Sequence, residues 1–144
     1  MRVVVDTNEM LRMAAAWQAP LAPMVSKWRD GRFEIALSND LLAEFESVAT
    51  RPQVRHFLPV VNAHEFVAFA RQWAIFVKPA DIFPHCRDPK DDVVIATAVA
   101  AHAEYIVTND GDLHEAALMA RLRDECGIQV VWPDEFLEAL SSGK

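Results

Sequence analysis

Two periods alternate along this chain: short β-branched runs, and longer stretches in which apolar residues recur three or four positions apart. The first run, Val3-Val4-Val5, predicts a strand buried on both faces and ends abruptly at Asp6-Thr7-Asn8. Residues 9–17, rich in Met, Leu and Ala, predict a helix that Thr7 or Asn8 is placed to cap. Pro20 and Pro23 interrupt it, and a short helix over 23–29 stops at Asp30-Gly31. A second strand is expected over 33–37. The cluster Ser38-Asn39-Asp40 then starts a helix over 41–48, which Arg51-Pro52 breaks. Residues 53–58 suit another short helix. Pro59 sits at the first turn of a longer one over 60–73.

The second half repeats the alternation. Residues 74–77 predict a third strand closed by Pro79, and 82–90, with Pro84 and Pro89, a loop. Asp91-Asp92 opens an Ala-rich helix over 93–103, where acids suit the positive end of the helix dipole. A fourth strand over 105–108 ends at Asn109-Asp110-Gly111-Asp112. A helix over 113–125 stops at Cys126-Gly127, a fifth strand occupies 128–131, and Pro133 starts a last helix over 134–140. Strands that alternate with helices predict an α/β fold with a mostly parallel five-stranded sheet covered on both faces. No internal repeat and no linker divides the 144 residues, so a single domain over 1–144 is expected.

Composition narrows the class. Apolar residues make up 52% and charged residues 24%, an ordinary globular balance. No apolar run is long enough to span a bilayer and no basic leader precedes the first strand, so a cytoplasmic protein without membrane contact is expected. Cys86 and Cys126 lie outside any metal-type spacing and read as free thiols of a reducing compartment. The net charge of −7 argues against adhesion to nucleic acid through bulk positive charge. It is compatible with a nuclease, because metal-binding acids add negative charge that cations partly cancel.

The acids carry the chemistry. Asp6 follows the first strand, Asp110 follows the fourth, and Asp91 or Asp92 opens the helix before that strand. In open α/β sheets this carboxyl edge is where ligands collect. Glu44 lies in the helix after the second strand, where its side chain leans back over the same edge. Each acid has an ordinary explanation as a cap, a turn residue or a solvated helix position. The set is what signals function, since independent caps have no reason to choose converging strand ends. Converging carboxylates repel one another unless a cation sits between them, and oxygen donors of this kind favour Mg²⁺ or Mn²⁺. Metal-assisted cleavage of a phosphate ester is the implied reaction.

Other candidates are weaker. His56, His64, His85, His102 and His114 show no H-E-x-x-H or close pairing for zinc. His85-Cys86 lacks an identified orienting third group for a nucleophile site. With four glycines and neither G-x-G-x-x-G nor G-x-x-x-x-G-K, a phosphate loop for nucleotide cofactors is disfavoured. The aromatic residues read mainly as core, with Trp17 and Trp28 as possible exceptions at an interface.

In order along the chain, the residues that bear a family pattern are Val4-Val5-Asp6-Thr7-Asn8, then Leu37-Ser38-Asn39-Asp40-Leu41-Leu42-Ala43-Glu44 with Arg51-Pro52. They continue with Asp88-Pro89-Lys90-Asp91-Asp92, Ala103-Glu104-Tyr105-Ile106-Val107-Thr108-Asn109-Asp110, and Ile128 to Val131 before Pro133-Asp134-Glu135-Phe136-Leu137. This series resembles the PIN-domain ribonucleases, in particular the VapC-like toxins of bacterial toxin–antitoxin pairs. The resemblance implies a three-layer α/β/α domain and a Mg²⁺- or Mn²⁺-dependent endoribonuclease. It implies Asp6, Glu44, Asp91 or Asp92, and Asp110 as the catalytic, metal-binding acids. Asp-Pro-x-Asp spacing favours Asp91 as the third; the distance to the following Ile favours Asp92. Asn8 and Thr108 match the polar residues that flank the acids and support them or a metal-bound water. Asn109 departs from the Gly or Arg common in the family before the last acid.

An RNA substrate would need cations near the acid edge, for which Arg12, Lys27, Arg29, Arg51, Arg55, Arg87 and Lys90 are the candidates. Implied partners are RNA, an antitoxin protein and a second copy in a homodimer. The apolar stretches 10–17 and 24–28 suit either core packing or a groove for an antitoxin helix. Two other readings compete: a housekeeping PIN-type nuclease for rRNA processing or DNA flaps, and a PIN-like domain that binds a partner without chemistry.

Overall fold

Val3, Val4 and Val5 are fully buried because β1 (Arg2–Val5) is the central strand of a five-stranded sheet. In this computed structural model, which describes residues 1–19, 22–81 and 89–142, the strand order is β3-β2-β1-β4-β5. The other strands are β2 (Glu34–Leu37), β3 (Ile75–Phe76), β4 (Tyr105–Val107) and β5 (Gln129–Val131). Every pairing is parallel, as the alternating sequence pattern predicts. A strand flanked on both sides and covered on both faces has no polar position to offer, which accounts for the unbroken valine run.

The chain runs outward from β1 through β2 to β3, then returns to place β4 on the other side of β1. Right-handed crossovers therefore put the helices between β1 and β3 on one face and those between β3 and β5 on the other, giving three layers. The first group is α1 (Thr7–Ala15), α2 (Pro23–Arg29), α3 (Asn39–Ala49), α4 (Pro52–Arg55) and α5 (Val60–Trp73). The second holds α6 (Pro89–Ala101) and α7 (Ala116–Arg121), which runs on as a π-helical turn, Leu122–Cys126. The last helix is α8 (Pro133–Ser141). Among the described residues no helix is long and apolar enough to cross a membrane.

On the first face Met10, Met13 and Ala14 of α1 are buried, as are Leu41, Leu42 and Phe45 of α3 and Phe66 and Ala70 of α5. Trp17 and Trp28 belong to this core. Their rings cross edge to face at 6.1 Å, and both pack on Phe66 and Phe69. The interface role considered for them does not hold. The apolar stretches 10–17 and 24–28 face inward in the same way.

Several sequence expectations need correction. Asp6, rather than Thr7 or Asn8, caps α1, its side chain accepting from the Glu9 N–H. The helix expected over 93–103 begins earlier, at Pro89, and ends at Ala101, where His102 takes a left-handed φ of 52°. Proline is tolerated in the first helical turn, where its missing N–H has no partner to lose. Pro89 and Lys90 thus belong to a helix and not to the loop expected over 82–90; residues 82–88, with His85, Cys86 and Arg87, lie outside the described residues. The helix expected over 113–125 starts only at Ala116, because Glu115 turns back to accept from the Ala117 N–H at 2.6 Å. Cys126 is a free thiol, as expected.

The fully buried Phe45 ring stacks 4.8 Å from Phe66 and ties α3 to α5. Phe45→Ala is expected to lower unfolding stability by about 3–5 kcal/mol, measured by denaturant titration. A loss below about 1 kcal/mol would contradict this packing.

Candidate active site at the carboxyl edge of the sheet

Strand order reverses at β1, so the crevice outside the carboxyl ends of β1 and β4 is the switch point of the sheet. Register then decides which residues meet there. Val5 pairs with Val107, which brings the next residues, Asp6 and Thr108, side by side. The Thr108 hydroxyl donates to Asp6 Oδ2, while Asp6 Oδ1 accepts from the Glu9 N–H at 2.9 Å. Both carboxylate oxygens of a residue only 4% exposed are thereby partnered.

Thr108 is itself fully buried and works in two directions. Its Oγ1 also accepts from the Asp110 N–H at 2.9 Å, so one hydroxyl joins the first acid to the backbone of the last. The Asp110 carboxylate in turn accepts from the Asp112 N–H at 2.9 Å, an Asx turn that holds the loop after β4. Burial pushes the Asp6 carboxyl above its ordinary value. The Thr108 and Glu9 hydrogen bonds oppose that rise, the negative charge of Asp110 adds to it, and Arg12 opposes it. Asp6 and Asp110 are therefore close enough to repel.

Glu44 reaches the same edge from α3. It accepts from the Thr7 hydroxyl, in the first turn of α1 one residue after Asp6. Asp91 and Asp92 both fall in the first turn of α6. The orientation of that helix is fixed at both ends: Arg2 Nη1 donates to Ala101 O at 2.9 Å beside the amino end of β1, and Thr97 Oγ1 donates to Ser38 Oγ at 3.0 Å beyond the carboxyl end of β2. Asp92 precedes Thr97 by five residues, about 7.5 Å along a helix axis, which carries it to the carboxyl edge. Asp92 is half-buried; the side chain of Asp91 lies outside the described residues. Among the described residues no three His, Cys, Asp or Glu side chains are arranged to hold a metal ion. Pairwise links between the acids are thus present without a closed ligand set.

Of the flanking residues, Thr108 hydrogen-bonds Asp6. Asn8 is exposed and shows no such bond among the described residues. Among the suggested cations, Arg29 is structural: it donates to Trp17 O at 3.1 Å and lies over the Trp17 ring. Among the described residues Arg12 is the one suggested cation found acting on an acid of the site; Arg87 and the side chain of Lys90 lie outside them.

One residue was missed. Glu9 is only 4% exposed, and its Oε1 lies 3.3 Å from Arg12 Nη1. Burial raises its carboxyl above the ordinary value, Arg12 opposes the rise, and Asp6 adds to it. Its signal in the sequence is the three-residue spacing from Asp6, which returns a helix side chain to the face of its cap.

The chain matches the PIN domain family over residues 2–112 and belongs to that family. PIN domains are in general nucleases that use divalent metals, so the function of this domain is of the nuclease type. The matched stretch contains Asp6, Glu44, Asp91, Asp92 and Asp110. Comparison with curated proteins finds no match.

A buried acid with a raised pKa has a definite effect on stability. Below the ordinary carboxylate range Asp6 is protonated in both the folded and unfolded states, and no penalty arises. As pH rises the unfolded chain ionises first and the folded state lags, so stability falls through that window. Asp6→Asn removes the penalty. Its denaturation midpoint is expected to exceed that of the metal-free wild type at pH 7, with the gap closing toward pH 4. A gap of the opposite sign would contradict the assigned shift.

Proposed function

We propose that this PIN domain is a divalent-metal-dependent endoribonuclease that hydrolyses RNA phosphodiesters, and that it acts as the toxin of a toxin–antitoxin pair. The observation that carries the nuclease reading is the Thr108 hydroxyl, which holds Asp6 and the Asp110 backbone together at the switch point of the sheet. The donors fit a hard cation, since Asp6, Glu44, Asp110 and Asp91 or Asp92 supply oxygen alone. When bound, Mg²⁺ or Mn²⁺ supplies an activated water and neutralises charge on the phosphodiester.

The chain's own contribution is orientation. Asp6 is locked by two hydrogen bonds and cannot turn away from the crevice. Glu44 is steered by Thr7, and Asp110 is held by its Asx turn. A positive ion beside Asp6 and Asp110 would also offset the repulsion between them. Asp92 lies half-buried at the carboxyl edge, where it is placed to serve as the third acid; the side chain of Asp91 lies outside the described residues.

The toxin role draws on the resemblance to VapC-like proteins. An antitoxin helix has a better receiving surface than the buried stretches 10–17 and 24–28. A groove of about 360 Å³ between α3, α4 and α5 is lined by Phe45, Ala49, Val60, Ala63 and Val67, with Arg55 and the Arg71–Glu46 ion pair beside them. It suits an apolar helix flanked by acids.

A second reading, partner binding without chemistry, is favoured by the lack of a closed three-acid ligand set among the described residues. One experiment separates the two. Wild-type protein is expected to cleave single-stranded RNA with Mg²⁺ or Mn²⁺, to stop in excess EDTA, and to lose cleavage to background in Asp6→Ala. Cleavage that survives both changes would refute the metal-nuclease reading. Thr108→Val, which removes only the hydroxyl that orients Asp6, is expected to lower metal affinity or activity by about 10–100-fold in a metal titration of the cleavage rate. An unchanged metal response would show that this hydroxyl does not organise the site.

A further inference from the structure

Trp132 stands at the same sheet edge as the acids, directly after β5 and at the start of α8. Its indole is 38% exposed, whereas Trp17 and Trp28 are buried. The imidazole of His114 stacks on it, with ring centroids 3.6 Å apart and planes 6° from parallel. That imidazole is itself fixed: Nε2 lies 2.8 Å from Thr108 O, and since a carbonyl oxygen only accepts, Nε2 carries the proton and donates. The Trp132 N–H donates to Glu135 Oε1 at 3.0 Å, which holds the backbone that bears the ring.

The stacked pair and the acids share one residue. Thr108 turns its hydroxyl to Asp6 and its carbonyl to His114, while its N–H donates to Val131 O at 3.1 Å, immediately before Trp132. Parallel strands lie about 4.8 Å apart, so the backbone at Trp132 starts about 10 Å, or two strand spacings, from that at Asp6. A flat, immobilised aromatic ring at that distance from a phosphodiester site is suited to an unpaired base. Single-stranded nucleic acids are recognised by stacking bases on such rings, and a ring already held in place loses little freedom on binding. The net charge of −7 offers no bulk attraction to a polyanion, which gives local contacts such as base stacking a larger share of the affinity. Both His114 and Trp132 lie beyond the matched residues 2–112, so the family assignment does not supply this feature.

We infer that the exposed indole of Trp132, backed by His114, is a stacking subsite for an unpaired base of single-stranded RNA whose neighbouring phosphodiester lies at the Asp6–Asp110 edge. The inference rests on the nuclease reading for its substrate class and adds a base-binding contact to it.

The test uses Trp73→Phe, which leaves Trp132 as the one substantially exposed indole of the three that remain. In EDTA, which stops cleavage, octauridylate is expected to quench its fluorescence saturably, and an abasic ribose-phosphate oligomer of equal length is not. In steady-state cleavage Trp132→Ala is expected to raise KM about tenfold with little change in kcat, and Trp132→Phe to restore most of the loss. Equal quenching by the abasic oligomer, no quenching by octauridylate, or an unchanged KM in a folded Trp132→Ala would overturn the subsite. Should Trp132→Ala fail to fold, the quenching comparison decides alone. Cleavage that survives both Asp6→Ala and excess EDTA would instead overturn the metal-nuclease reading, whatever the quenching shows.

Discussion

A carboxylate at the end of a central, fully buried strand is the constraint on which the rest of this structure turns. Asp6 has valines behind it and a neighbouring acid beside it, and it survives there because the Thr108 hydroxyl and the Glu9 N–H take both its oxygens. Those partners exist only if β4 lies next to β1 in the observed register and α1 starts without a gap. Sheet order, register and helix start thus all answer to one side chain. The arrangement is held at some expense, since burial and Asp110 both oppose the charged form of Asp6.

The five strands and their parallel alternation with helices were legible because each strand is a short β-branched or aromatic run bounded by turn residues. The order of the strands was not, because it depends on which distant runs pair. Some boundaries also escaped. Pro89 looks like part of a loop after Pro84, yet it opens α6, and Glu115 shortens α7 by turning its own carboxylate onto the helix start.

The same division applies to the site. Asp6, Asp91, Asp92 and Asp110 stand out as candidates from their places at element ends, Glu44 from its place in the helix after the second strand, and Thr108 from its place in the fourth motif. Which polar residue turns inward was not legible. Asp6, Thr7 and Asn8 are all competent caps in sequence, and only tertiary packing makes Asp6 the cap, sends Thr7 to Glu44 and leaves Asn8 outside. Glu9 was missed because an acid in a first turn ordinarily means dipole complementarity at the surface. Trp132 was absorbed into a general expectation that aromatic residues form the core, since nothing in its local sequence shows that His114 comes to lie against it.

The bond between Asp6 and Thr108 spans 102 positions of the chain. During synthesis the first acid emerges early, but the residue that orients it follows 102 positions later, and closing so long a loop is slow relative to local folding. A ribosome-bound or truncated chain that ends before β4 carries Asp6, Glu44 and the start of α6 without the strand that aligns them. Assembly of the site is therefore tied to completion of the sheet, so that translation itself delays the moment at which this protein becomes competent.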